Sequence, residues 1–219
     1  LYGKNSTGGA IKLTTKNPFD NEGGAVEVTA GDYGRLEGRF YASGRLSDTV
    51  AVSLAGAKIT NDGYVKDPDT GRRFNDDDTE SLRFKLALAP TDNFRATLTV
   101  DHTEQDAALT MGRPMAPLLQ TSLAPAGVVV LMPGQTGKWD RTAKTSFADH
   151  QGQQLEHSGA SLALDWDLNE QWQLKSISAF RKLKTNSFID IDAPEYELGD
   201  VLVALDQDQR SQEFQLHYD

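Results

Sequence analysis

From about Ala25 onward, apolar and polar side chains alternate with period two, the spacing that puts residues i, i+2 and i+4 on one face of a β-strand. Four stretches show it cleanly. Leu36, Phe40 and Ala42 oppose Arg35, Glu37, Arg39 and Tyr41; Leu82, Phe84, Leu86 and Leu88 oppose Ser81, Arg83, Lys85 and Ala87. Phe94, Ala96, Leu98 and Val100 alternate with Arg95, Thr97, Thr99 and Asp101, and Ala160, Leu162, Leu164 and Trp166 with Gly159, Ser161, Ala163 and Asp165. Weaker alternation runs through 24–32, 48–60, 171–183 and 209–219. Eight antiparallel strands are expected.

The expected connections alternate in length. After a tight first link at Gly31 to Gly34, short turns fall at Leu46 to Thr49, Pro90 to Asn93 and Asp167 to Gln171, and long loops at 61–78, 106–153 and 184–207. Long loops are uncommon in compact soluble domains. Long connections at one end and short ones at the other mark outer-membrane barrels. Ten residues at ~3.3 Å, tilted by ~40°, project to about 25 Å, the height of the apolar band of such barrels. Trp166 and Trp172 flank one short turn, where an interfacial aromatic girdle would sit; packing in a soluble sandwich core is an equally good reading of these two residues alone.

Composition changes this picture only by exclusion. The 219 residues are 38% hydrophobic, with a mean hydropathy of -0.51 and no apolar run near the ~20 residues of a spanning helix. Alternation halves the apparent hydrophobicity of a membrane strand, so that average does not argue against a barrel. There is no cysteine, which removes disulfides, thiolate metal sites and cysteine nucleophiles. A net charge of -10 argues against nucleic-acid binding. The loops at 61–78 and 184–207 carry -3 and -5 of it (six acids against three bases, and six against Lys184), so the charge gathers where the chain is expected to be extracellular. Such loops stay solvated, or bridge through divalent cations to lipopolysaccharide.

The opening LYGKNSTGGAIKLTTKNP resembles the closing segment of the plug in TonB-dependent outer-membrane receptors, with Gly3, Gly8, Gly9 and Ile11 as its plug motif and Ala10 to Lys16 as the last plug strand. Adjacent glycines permit close backbone packing where a plug folds beneath a wall. Asp32 to Val65 resembles the first barrel hairpins of that family, and Ser211 to Asp219 a strand that recurs further along. The resemblance implies an all-β fold, an antiparallel membrane β-barrel fragment of about eight strands out of 22, preceded by the C-terminal end of a plug. Residues 1–20 would be plug and 21–219 the N-terminal portion of the transmembrane barrel. A full wall at this spacing needs about 540 residues, and open strand edges cannot face hydrocarbon, so further sequence is expected to complete it.

Other motifs are weaker. Lys4 is followed by Asn5 where a phosphate-binding loop needs Ser or Thr, and the Asn5, Ser6, Thr7 sequon is a frequent chance match. Asp67, Asp69 and Asp76 to Asp78 suggest a calcium loop, but Gly71 and Arg72 occupy positions an EF-hand reserves for a ligand and a glycine; a looser site on that acidic loop stays open. His102, His150, His157 and His217 lack metal-ligand spacing, and no triad motif is present. No catalytic residue, cofactor or metal ligand is assigned.

The resemblance thus implies energy-coupled uptake of a scarce, bulky nutrient, most often a ferric siderophore, across the bacterial outer membrane. Its partners would be TonB, the nutrient, and outer-membrane lipid and lipopolysaccharide. Substrate-binding residues are not readable, although Met111 to Lys138, with few charges, is expected to be ligand-facing or mobile. The alternative is a secreted or periplasmic β-sandwich that binds a glycan or protein on its long loops.

Overall fold

The structure is a computed structural model that describes residues 13–120, 129–132, 134, 138–191 and 199–218. The plug motif residues Gly3, Gly8, Gly9 and Ile11 lie outside these. Among the described residues twelve strands form in chain order: β1 (Gly23–Ala30), β2 (Leu36–Ser47), β3 (Val50–Asn61), β4 (Val65–Lys66), β5 (Arg73–Phe74), β6 (Asp77–Thr91), β7 (Phe94–Ala107), β8 (Leu118–Gln120), β9 (Val129–Met132), β10 (Gln153–Asp167), β11 (Trp172–Asp190) and β12 (Asp200–Tyr218).

Eight of them make one antiparallel sheet in the order β1-β2-β3-β6-β7-β10-β11-β12, a meander in which every strand pairs with its neighbours along the chain. These are the eight strands expected from the alternation. The remaining four are two short hairpins inside the long loops, β4 with β5 and β8 with β9, which the pattern did not foretell because two to four residues carry no readable period.

One expected loop is corrected. The segment 184–207 is mostly strand: β11 runs to Asp190 and β12 starts at Asp200, with a connection of only 191–199. The ladder from Lys184↔Asp206 to Asp190↔Asp200 continues through residues that carry charge and break the alternation. Backbone pairing between adjacent long strands outweighs the weak local preference of Asp and Asn. The expected last plug strand is corrected in part, since 13–16 have no strand partner among the described residues.

The even-numbered apolar residues of the central strands share one face. Their cross-strand rows include Val52, Leu86, Leu98 and Leu162, and Leu54, Phe84, Val100 and Ala160. No second sheet covers this face among the described residues, and Leu82, Phe84, Val100, Leu162 and Phe180 remain between 38% and 51% exposed. A sandwich would bury them. The chain exposes 14930 Å², against roughly 9,900 Å² expected of a compact 24.0 kDa protein. The described residues thus form one exposed sheet and no second layer of a sandwich.

The rows also reveal how the strands lean. Following the register from Val26 leads through Phe40, Gly56, Leu82, His102, Ser158 and Lys182 to Asp208. β12 carries Val201, Leu202, Val203 and Leu205 at its long-loop end, and towards the short-turn end its apolar residues Phe214 and Leu216 lie six and eight residues beyond Asp208. The apolar band thus slides by ~20–26 Å over seven strand spacings of ~4.8 Å, a tilt of roughly 30–40°. Closed barrels require a tilt of this size.

At the short-turn end the band closes on aromatic rings. Phe94 meets Trp166 edge-on with centroids 6.4 Å apart, and Trp172 lies 4.9 Å from Tyr218. Both indoles are on the apolar face and exposed, at 46% for Trp166 and 37% for Trp172, so they form a belt and not a sandwich core.

Candidate functional site: the polar face and the loop cap

The opposite face carries the odd-numbered residues and a set of interlocked charges. Asp101, buried on β7, sits in a row with Arg83 on β6 and with Gly159 and Arg181 across β10 and β11. Arg181 Nη1 donates to Asp101 Oδ2 at 2.5 Å, while Arg83 Nε and His157 Nδ1 stand 3.9 Å from the same carboxylate. Arg181 must cross a whole strand to make that bond. It does so over Gly159, where a Cβ would collide with the guanidinium. Glu37, also buried, is bracketed in the same way by Arg35 at 2.8 Å and by Arg39.

Residues 13–22 lie against this face. Lys85 Nζ on β6 donates to Thr15 Oγ1 at 2.6 Å and to the carbonyls of Lys16 at 2.8 Å and Thr15 at 3.4 Å. Arg45 on β2 donates twice to the carbonyl of Phe19, at 2.9 and 3.2 Å, and its guanidinium lies 5.5 Å from the centre of that ring. A cavity of about 350 Å³ remains between this segment and the wall, lined by Thr14, Thr15, Tyr41, Ser53, Arg83 and Lys85 among others.

At the long-loop end, the connection 62–76 and the described parts of 108–152 fold over each other into a cap with its own core. Val65, Phe74 and Leu109 are fully buried and Met111 nearly so, with Trp139, Phe147 and Phe188 packed around them. Polar groups fasten the cap. Asn75, at φ 61°, takes a backbone bond from Met111 and gives one to the Met111 carbonyl, and its own amide donates to the Leu109 carbonyl. Arg72 donates to the carbonyls of Phe147 at 2.6 Å and Ala148 at 2.9 Å, with its guanidinium 5.0 Å from the centre of the Phe74 ring.

The acidic loop is therefore structural as well as solvated. Burial pushes the Asp67 carboxyl upward, but the amides of Asp69 and Thr70, the Thr70 hydroxyl and the Lys144 charge together outweigh it and hold Asp67 below its ordinary value. For Asp76 burial wins: its carboxyl is raised, aided by Asp106 and Asp77, even though it accepts the Ala108 amide at 2.6 Å. No group of three or more potential metal ligands gathers among the described residues. The expectation that Met111 opens a ligand-facing or mobile loop is corrected at that residue, which is 3% exposed and anchors the cap core. Most of 121–137 lies outside the described residues.

Nearby, the first turn meets the cap. Tyr33 and Tyr64 stand with ring centroids 6.1 Å apart, and the Arg141 guanidinium lies 5.5 and 6.0 Å from those rings. Sequence reading missed this cluster, and it missed Lys85, Arg45 and Asp101 as a functional group. Period two marks each as polar-facing, but the partners lie 26 to 80 residues away and no local spacing links them.

No protein-family model and no curated protein matches the chain. Among solved structures, the open form of the ferric-catecholate import receptor Fiu from E. coli K12 is similar, with a TM-score of 0.62 at 13% identity over 92% of this chain and 32% of that one. The closed form of the same receptor gives 0.57 at 13% identity, over 90% of this chain and 28% of that one. The chain spans about a third of the length of the receptor it matches. At such identity the likeness is one of fold, and it agrees with the tilted eight-stranded meander. The chain thus shares its fold, an eight-stranded antiparallel meander, with part of that receptor.

Proposed function

We propose that this chain is the plug end and first eight wall strands of a TonB-dependent outer-membrane receptor that imports a ferric siderophore. Residues 1–20 are read as the end of the plug and 21–219 as the first part of the wall. The observation that carries the reading is the pairing of a tilted, outward-apolar wall with a segment seated on its charged inner face. A wall of this kind places hydrocarbon against the apolar band and an occluding plug against the charges. The bulky cargo and the work drawn through TonB follow from that arrangement, and the ferric-catecholate import receptor of similar fold supports iron chelates as the cargo class. An anionic aromatic chelate would meet Arg141 between Tyr33 and Tyr64 at the extracellular rim.

Uptake of radiolabelled iron as a catecholate complex tests this directly. A strain that depends on the complete receptor should take up iron in the presence of TonB and lose it when either the receptor or TonB is deleted. Uptake that persists without TonB sinks the proposal. Membrane placement has its own test in Leu98→Arg, at the centre of the apolar band, against Thr97→Arg on the lumen face. A charge at the bilayer midplane costs ~2–4 kcal/mol. Leu98→Arg should depress barrel assembly in the outer membrane and Thr97→Arg should not; equal assembly of the two would refute a lipid-facing band.

A further inference from the structure

The segment between plug and wall could simply pass near the sheet, held only by its covalent link. Its contacts are of another kind. Lys85 is 7% exposed, and every hydrogen-bond acceptor described for its ammonium comes from Thr15 and Lys16. Further on, Arg45 clamps the Phe19 carbonyl with two donors, covers the Phe19 ring and reaches Glu22 at 3.2 Å. Between the clamps the chain makes a preformed turn. Asn17 caps it with its side chain on the Phe19 amide and its carbonyl on Asp20 and Asn21, and Pro18 at its corner is fully buried.

The two clamps sit on different strands, β6 and β2, with β3 between them. To slide or lift, the segment would have to break five hydrogen bonds to cationic donors and expose Pro18. Bonds to charged donors are stronger than neutral ones, and here most acceptors are backbone carbonyls that no side-chain rotation can withdraw. Such a contact resists movement at both ends at once.

We propose that residues 13–22 are a fixed anchor, held by Lys85 and Arg45 throughout a transport cycle, so that whatever movement clears the lumen leaves this segment seated on the wall. The inference rests on the transport reading above. Lys85 and Arg45 are positioning residues in it, acting on the plug end and not on the cargo.

These 219 residues hold no cysteine, and with any cysteine elsewhere in the complete receptor replaced by serine the introduced thiols are unique. Thr14 and Ser53 line the same cavity and leave both clamps intact. In the complete receptor carrying Thr14→Cys and Ser53→Cys, joining the thiols with a short bifunctional maleimide should leave iron uptake within about twofold of the unbridged receptor. Loss of uptake on bridging, with the unbridged pair still active, overturns the anchor. Failure of the unbridged receptor and of the wild type to import would instead count against the transport reading. The clamps are tested in the receptor carrying Pro18→Cys alone, whose thiol replaces a fully buried side chain between the clamps, by labelling that one introduced thiol with a membrane-impermeant maleimide. Adding Lys85→Met with Arg45→Ala should speed labelling by about tenfold or more, and Lys85→Arg should largely restore protection. Labelling of the receptor with intact clamps that accelerates once cargo and TonB are supplied would show that the segment leaves the wall, and would also overturn the proposal.

Discussion

Replacing Phe74 by alanine removes the largest side chain from the core of the loop cap. That core is small: Val65, Phe74, Leu109 and Met111 are its buried members. Burying each is worth about 1.5–3 kcal/mol, so the cap gains ~6–12 kcal/mol before chain entropy is set against it. A Phe→Ala cavity costs about 3–5 kcal/mol, and the Arg72 guanidinium loses the ring it covers. Much of the cap's net stability goes with one side chain. Amide exchange reads this locally, through the amides of Lys66 bonded to Arg141, Asn75 bonded to Leu109 and Ala143 bonded to Lys66. A loss of ~3 kcal/mol in opening free energy speeds exchange about a hundredfold. Amides in the β7 and β10 ladder should keep their wild-type rates, because the wall is held by its own pairing. Unchanged exchange at Lys66 and Asn75 would refute the cap core. Equal acceleration in β7 and β10 would refute its independence from the wall.

Two further outcomes follow from the charged groups. Gly159→Val places a side chain where Arg181 crosses β10, strips Asp101 of its closest partner and should destabilise the barrel by about 1–3 kcal/mol after allowance for the partly exposed arginine; a lower thermal transition on gel-mobility melting checks it, and Gly159→Val melting like wild type would contradict the crossing. Asp76 has a raised carboxyl, so the folded cap holds its proton to higher pH than the unfolded chain. Cap stability should therefore fall as pH rises from the ordinary aspartate range through the raised value, and Asp76→Asn, which can still accept the Ala108 amide, should flatten that slope. Trp139 fluorescence follows the cap core in both proteins, and identical slopes would argue against burial of a charged Asp76.

Period two was sufficient to find all eight wall strands and to sort their residues onto two faces, because a strand's face is decided residue by residue and survives any change of partner. The same logic placed Lys85, Arg83 and Asp101 on the polar side. It could not say what they touch. Lys85 meets Thr15 and Lys16, and Arg181 reaches Asp101 over Gly159, through register set by the whole meander. Nor could it end β11 and start β12, since the ladder from Lys184 to Asp190 forms against neighbours and not from local preference. The cap is the clearest case. Val65, Phe74, Leu109 and Met111 look like isolated apolar residues in polar loops, and only their convergence from two connections makes them a core. Sequence alone determined the wall and its two faces, since alternation is local; tertiary structure decided the tilt, the cap and the anchor, since each depends on which distant residues the register brings together.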